Sequence, residues 1–196
     1  TQNNYAFMKN HAIFRFDLLG MYEYDEETKR QTKQFEKMIN DCLSKFQGSG
    51  QYKAHPAVLM PQEFYNDYPE EIPPNCLAHA IGCQKPIGTT YDQAVKELAQ
   101  DCREVPDGNC LENEHAVMLY GFEPNEDDPD SYHVVRQDPN GNWSAAVGSL
   151  GIVSEIKDPQ VHTSAFYNKC MQDLGGTPLI IDDKKTKRYC CCDRKQ

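Results

Sequence analysis

A cysteine nucleophile needs thiolate character, a base to hold its proton, and donors for the oxyanion that forms on the carbonyl it attacks. In "NCLAHAIG", residues 75 to 82, Cys76 follows Asn75 and the pair Pro73-Pro74. The prolines cannot continue a helix from upstream, Asn75 is a good N-cap and Gly82 a good stop, so a short helix is expected to open at Cys76. The first turn of a helix carries unpaired N–H groups and the positive end of the dipole, which draw a thiol pKa from about 8.5 toward 7 or below. The Cys76 N–H would face the oxyanion, with the Asn75 amide as a second donor. The competing reading is packing, since cysteine is among the most buried residue types and Cys76 opens an apolar run.

The base would be one of six histidines. His133, near the start of "YHVVRQD", is preferred, because a strand beside the Cys76 helix can aim one ring at the thiol. His115 is second. His79 lies one turn beyond Cys76 on the same helix and reads as packed. A third residue would orient the imidazole through its other nitrogen. Asp158, after the strand candidate "GIVSEI", is preferred. Asp138 ends the His133 strand, but alternation puts residues 133, 135 and 137 on one face and Asp138 on the other. Asp138-Pro139 and Asp158-Pro159 also fit turn chemistry.

These side chains have to be positioned by a recognisable order of elements. Residues 25 to 46 recur in apolar steps of three and four (Phe35, Met38, Ile39, Cys42, Leu43, Phe46), which predicts an amphipathic helix stopped by Gly48-Ser49-Gly50. Gln51 to Pro74 reads as a long surface connection. After the short Cys76 helix, a second helix is expected over residues 89 to 102, capped by Thr90. Strands follow at "EHAVMLYGF", "YHVVRQD", "WSAAVG" and "LGIVSEI", with a weaker one at "TPLIID"; Asn140-Gly141 signals a hairpin. Helices before an antiparallel meander make an α+β domain. The expected division is a helical segment over 1–50, a main domain over 51–185 and a Cys-rich, disordered tail over 186–196.

Thirty acidic residues face twenty basic ones, a net charge of −10, which disfavours nucleic acid and anionic membrane as partners. "EPNEDDPD" lacks the spacing of a calcium loop and reads as a solvated turn. No apolar run approaches the roughly 18 residues of a membrane helix, and no signal-peptide pattern opens the chain. The nine cysteines are odd in number and scattered, so a reducing compartment is expected in place of a disulfide framework. None has zinc-finger spacing, and neither a metal nor a cofactor is expected.

In chain order, a cysteine at a helix start, a histidine on a later strand and an acid after it resemble the papain-like cysteine hydrolases and their transglutaminase-like relatives. "NCLAHAIG", "HAVMLYGF" and "YHVVRQDPNGNW" in succession are similar to bacterial proteins of the toxin and effector type, over roughly residues 73 to 160. The resemblance implies a papain-like domain with the Cys76 helix packed on an antiparallel sheet. It implies Cys76 as nucleophile, His133 as general base and acid and Asp158 as orienting carboxylate, acting on a protein substrate. It also implies a secreted effector working in a host cytosol; a cytoplasmic protein is the alternative. The chain departs from the pattern at His79, where an aromatic residue is usual, and at Ala145-Ala146, where a His-Lys pair is usual. Arg136 reads as a strand residue paired with the acidic loop or as a binder of substrate carboxylate. Three functions therefore stand: cysteine-dependent amide chemistry through a thioester, an inactive member of that fold serving as a binding module, and an acidic interaction protein.

Overall fold

The computed structural model describes residues 26–55, 73–106, 109–125, 129–148 and 150–193. In chain order these form helix α1 (Glu26–Leu43), strand β1 (Gln51–Ala54), helix α2 (Cys76–Ala80), helix α3 (Tyr91–Asp101) and strands β2 (Cys102–Glu104), β3 (His115–Phe122), β4 (Tyr132–Gln137), β5 (Trp143–Ala146) and β6 (Gly151–Ile156). Helix α4 (Pro159–Ser164) then runs through a π-helical stretch, Ala165–Cys170, and one more turn, Met171–Asp173, before strand β7 (Ile181–Cys191). The strands make one sheet in the order β1-β6-β5-β4-β3-β7-β2, antiparallel at every pairing. The chain is thus α+β, as expected from its sequence.

Both faces of the sheet are covered, and the pleat of the central strands decides which residue serves which face. On one side Val134 of β4 and Val117 and Leu119 of β3 pack with Leu77 and Ala80 of α2, with Ile81 at its C-cap, and with Ala94 and Leu98 of α3. On the other, Val135 and Tyr120 pack with Ile39 and Leu43 of α1 and Phe166 of the π-helical stretch. Runs such as "HVV" and "VMLY" carry apolar side chains to both faces because both are dry. Burying a side chain such as Leu77 or Ile81, each with no exposure, contributes about 1.5–3 kcal/mol.

Local chemistry sets the ends of the elements. Thr90 caps α3 by accepting from the Gln93 N–H, as its position suggests. The β4–β5 hairpin closes with the Asp138 N–H on the Asn142 carbonyl at 2.7 Å, and Gly141 supplies the left-handed residue (φ 81°). Among the described residues, no helix is long and apolar enough to cross a membrane.

Three expectations are corrected. The expected surface connection begins with strand β1, which pairs with β6; residues 56–72 lie outside the described part. Residues 186–191 of the segment read as a disordered tail are the end of β7, where Tyr189, Cys190 and Cys191 are buried and paired with β3 and β2; residues 194–196 lie outside the described part. Alternating charges hid the strand: "DDKKTKR" bulges past Gly121 and carries little apolar surface. Most consequential, six cysteines are joined as Cys42–Cys170, Cys102–Cys191 and Cys110–Cys190. The expected reduced, unpaired set is therefore wrong. Pairing is a property of which strands and helices meet, and it does not show in linear spacing.

Candidate functional site

Asn75 begins the site as the sequence suggests, by capping α2: its Oδ1 accepts from the Ala78 N–H at 3.0 Å. The same oxygen takes the Ile87 N–H at 3.3 Å, while Nδ2 donates to the Ile87 and Gly88 carbonyls at 2.7 and 3.1 Å. Both amide protons are committed to the 87–88 loop, so Asn75 has none to offer an oxyanion. It is a clasp between α2 and the loop leading to α3.

Cys76 follows as the first helical residue, 6% exposed and free of any disulfide. Burial pushes its thiol up to about 11; the N–H groups of Val134, Leu77 and Cys76 itself pull in the opposite direction and lose. The sulfur therefore meets the β4 main chain at Val134. It does not meet the His133 ring.

His133 leaves β4 on the opposite side. Tyr132, Val134 and Arg136 face α2, whereas His133 and Val135 face the π-helical stretch. The His133 ring has no exposure, and its Nδ1 lies in hydrogen-bond contact with the Tyr167 hydroxyl at 2.9 Å. Its Nε2 is buried and has no hydrogen-bond partner. Burial, with His162 and His79 nearby, holds the imidazole pKa well below 6.5. The direction of a Cα–Cβ bond in a strand is fixed, so no side-chain rotation carries this ring to Cys76; a one-residue slip of β4 would be needed, with Val134 and Val135 exchanged between cores.

Burial raises the Tyr120 phenol pKa, and Asp158, close by on the His133 side of the sheet, adds to the rise. The Asp158 carboxylate caps α4, with Oδ1 accepting from the Gln160 and Val161 N–H groups at 3.0 Å each. Cys76, His133 and Asp158 are thus each engaged elsewhere and are not joined as a triad.

Asp138, the other candidate for the third position, belongs to a different chain of hydrogen bonds. Ser144 Oγ donates to Asp138 Oδ1 at 3.0 Å and lies 3.0 Å from His79 Nε2. Because the serine proton goes to the carboxylate, His79 must donate through Nε2, which fixes its tautomer. Burial, helped by Arg136, lowers the His79 pKa to about 4, so the ring is neutral. His115, the runner-up base, spends its Nε2 on the Ala80 carbonyl at 2.7 Å. His79 and His115 are therefore both tied down away from the sulfur.

The His79–Ser144–Asp138 chain ends at a polar cleft of about 630 Å³. Arg136 and Arg188 line its floor, and the 109–114 loop, pinned by Cys110–Cys190, forms one wall. Arg136 Nη1 donates to the His79 carbonyl at 3.3 Å and to Asp193 Oδ1 at 2.9 Å, and Nε lies 3.8 Å from Asp138. Sequence reading singled out Arg136 but not its partners, because Asp193 reaches it only through the path of β7. Glu114, Cys110 and Cys190 bring potential metal ligands within 4.8 Å of one another, but the two sulfurs are already bonded together. Compared with protein-family models, with curated proteins and with solved structures, the chain matches none.

Proposed function

We propose that this chain is a binding domain for a protein or peptide, working in an oxidising compartment, with the Arg136 cleft as its ligand face. The observation that carries the reading is the prior engagement of every part a thiol enzyme would need. Cys76 is buried with its pKa raised, His133 is sealed against Tyr167, and Asp158 caps a helix. The cleft, by contrast, holds charged groups at the surface of a rigid frame. Three disulfides support the compartment, since such bonds do not persist where glutathione and thioredoxin keep thiols reduced.

One observation favours the second reading, cysteine-dependent amide chemistry of the papain-like kind at Cys76 with His133 as base. Three backbone N–H groups lean on the sulfur, as they would on a thiolate or an oxyanion. Site-resolved alkylation across pH, read by mass spectrometry, separates the two. In the binding reading Cys192, which is exposed, reacts first, Cys76 reacts last, and His133→Ala changes neither. Preferential reaction at Cys76 with an apparent pKa well below about 8.5, lost in His133→Ala, would establish the enzyme and overturn the proposal.

A further inference from the structure

Asp193 is seated on Arg136. Its Oδ1 takes the Nη1 proton at 2.9 Å, and its carboxyl lies so close over Gly82 that a β-carbon there would come within 2.8 Å of Oδ1. Yet the Asp193 side chain is 59% exposed, against 15% for Arg136. A well-anchored guanidinium is thus covered by a loosely held carboxylate two residues past the end of β7.

The charges of the cleft say what would replace it. Glu114 is matched by Arg103 at 2.8 Å and drops out. With Asp193 withdrawn, the cleft holds two guanidinium groups, Arg136 and Arg188, against two carboxylates, Asp138 and Glu112, so its charges balance. What the withdrawal uncovers is Arg136 Nη1, left with only the His79 carbonyl at 3.3 Å; a ligand carboxylate restores the charge-assisted bond, and an amine or neutral amide does not. Leu111, 62% exposed, lines the same cleft and offers a ligand an apolar contact.

Resting on the reading of the cleft as a ligand face, we infer that Arg136 binds a carboxylate of a peptide-like ligand, and that Asp193 occupies the site as a built-in competitor. The carboxylate can come from a chain end or from an acidic side chain; the chemistry is shared.

The test is an NMR titration of the intact, oxidised protein with three probes: N-acetyl-leucine, N-acetyl-leucinamide and the α-amide of N-acetyl-aspartate. At least one of the two acids is expected to shift the signals of Arg136 and the 109–114 loop, and the leucinamide is not. The better acid names the source of the carboxylate. Asp193→Asn, a change at an exposed position, should tighten acid binding about two- to fivefold, the scale of one half-exposed ion pair. Arg136→Lys should weaken it about tenfold. Equal shifts from N-acetyl-leucine and its amide would overturn the carboxylate assignment while leaving the cleft a binding face. No binding of any probe, even to Asp193→Asn, would overturn the inference whatever Cys76 does. Selective low-pKa alkylation of Cys76 would instead remove the functional reading beneath it.

Discussion

His133 and Arg136 leave the same strand on opposite sides and enter two different environments. On the His133 side the ring meets Tyr167 and His162 where water does not reach, and burial keeps both imidazoles neutral. On the Arg136 side two carboxylates and a cleft surround a guanidinium that remains charged at any ordinary pH. A titratable group in the dry region acts on stability, because charging it means paying for desolvation. A charge at the cleft costs little to keep and can be handed from one partner to another.

Acid should act most strongly on the dry side. The His162 pKa is lowered to about 4 in the folded state by burial, and His133 is also well below 6.5. The unfolded chain then takes up protons first as pH falls, so the full stability is present above about pH 6.5 and drains away toward pH 4. A shift from 6.5 to 4 corresponds to about 3 kcal/mol for His162 alone. His79, also lowered to about 4 by burial behind the cleft, contributes in the same direction. The urea midpoint should fall steeply between pH 7 and 4.5, and His162→Phe should flatten that fall. A midpoint with no such slope would mean that the region is wet and the contrast between the two sides false.

The next effect in size comes from Cys42–Cys170, which ties α1 to the π-helical stretch across a sequence separation of 128 residues. Chain-entropy arguments put its contribution at about 4–5 kcal/mol. A Cys42→Ala/Cys170→Ala variant should unfold at lower temperature and lose amide-exchange protection first in α1 and the stretch around Tyr167. Protection of β3 and β7, which hold the Arg136 side, should persist. Simultaneous loss on both sides would show that they open as one unit.

The smallest effect sharpens the assignment of Asp158. As a helix cap its replacement by alanine should cost about 1 kcal/mol in thermal unfolding and leave the alkylation rate of Cys76 unchanged. A change in that rate would return Asp158 to the chemistry.

What could be read beforehand followed local rules. Asn75 and Thr90 announced two caps, Asn140-Gly141 a hairpin, and the apolar steps from Phe35 to Leu43 an amphipathic helix. Even the separation of His133 from Asp138 was visible in the strand alternation. What the alternation does not say is which face α2 covers. "HVV" carries apolar residues to both sides, so Val134 and Val135 give no preference, and the pairing of Cys76 with a face depends on packing far away in sequence. Tyr167 and His162 were missed for a related reason: they lie after Asp158-Pro159, read as a turn, where Pro159 in fact starts a helix that Asp158 caps. Two of the three disulfides required the path of β7, and the third the packing of α1 on the π-helical stretch.

That path has a consequence for how the protein is made. Cys190, Cys191 and Cys192 are consecutive, and two of them must find Cys110 and Cys102, with Cys192 left over. Three choices for the first partner and two for the second give six ways to oxidise this end of the chain. Only the pleat of a docked β7 tells them apart, by turning neighbouring sulfurs to opposite sides. A docked β7 therefore selects the native pairing, and a chain that oxidises before the sheet assembles has to exchange its disulfides to reach it.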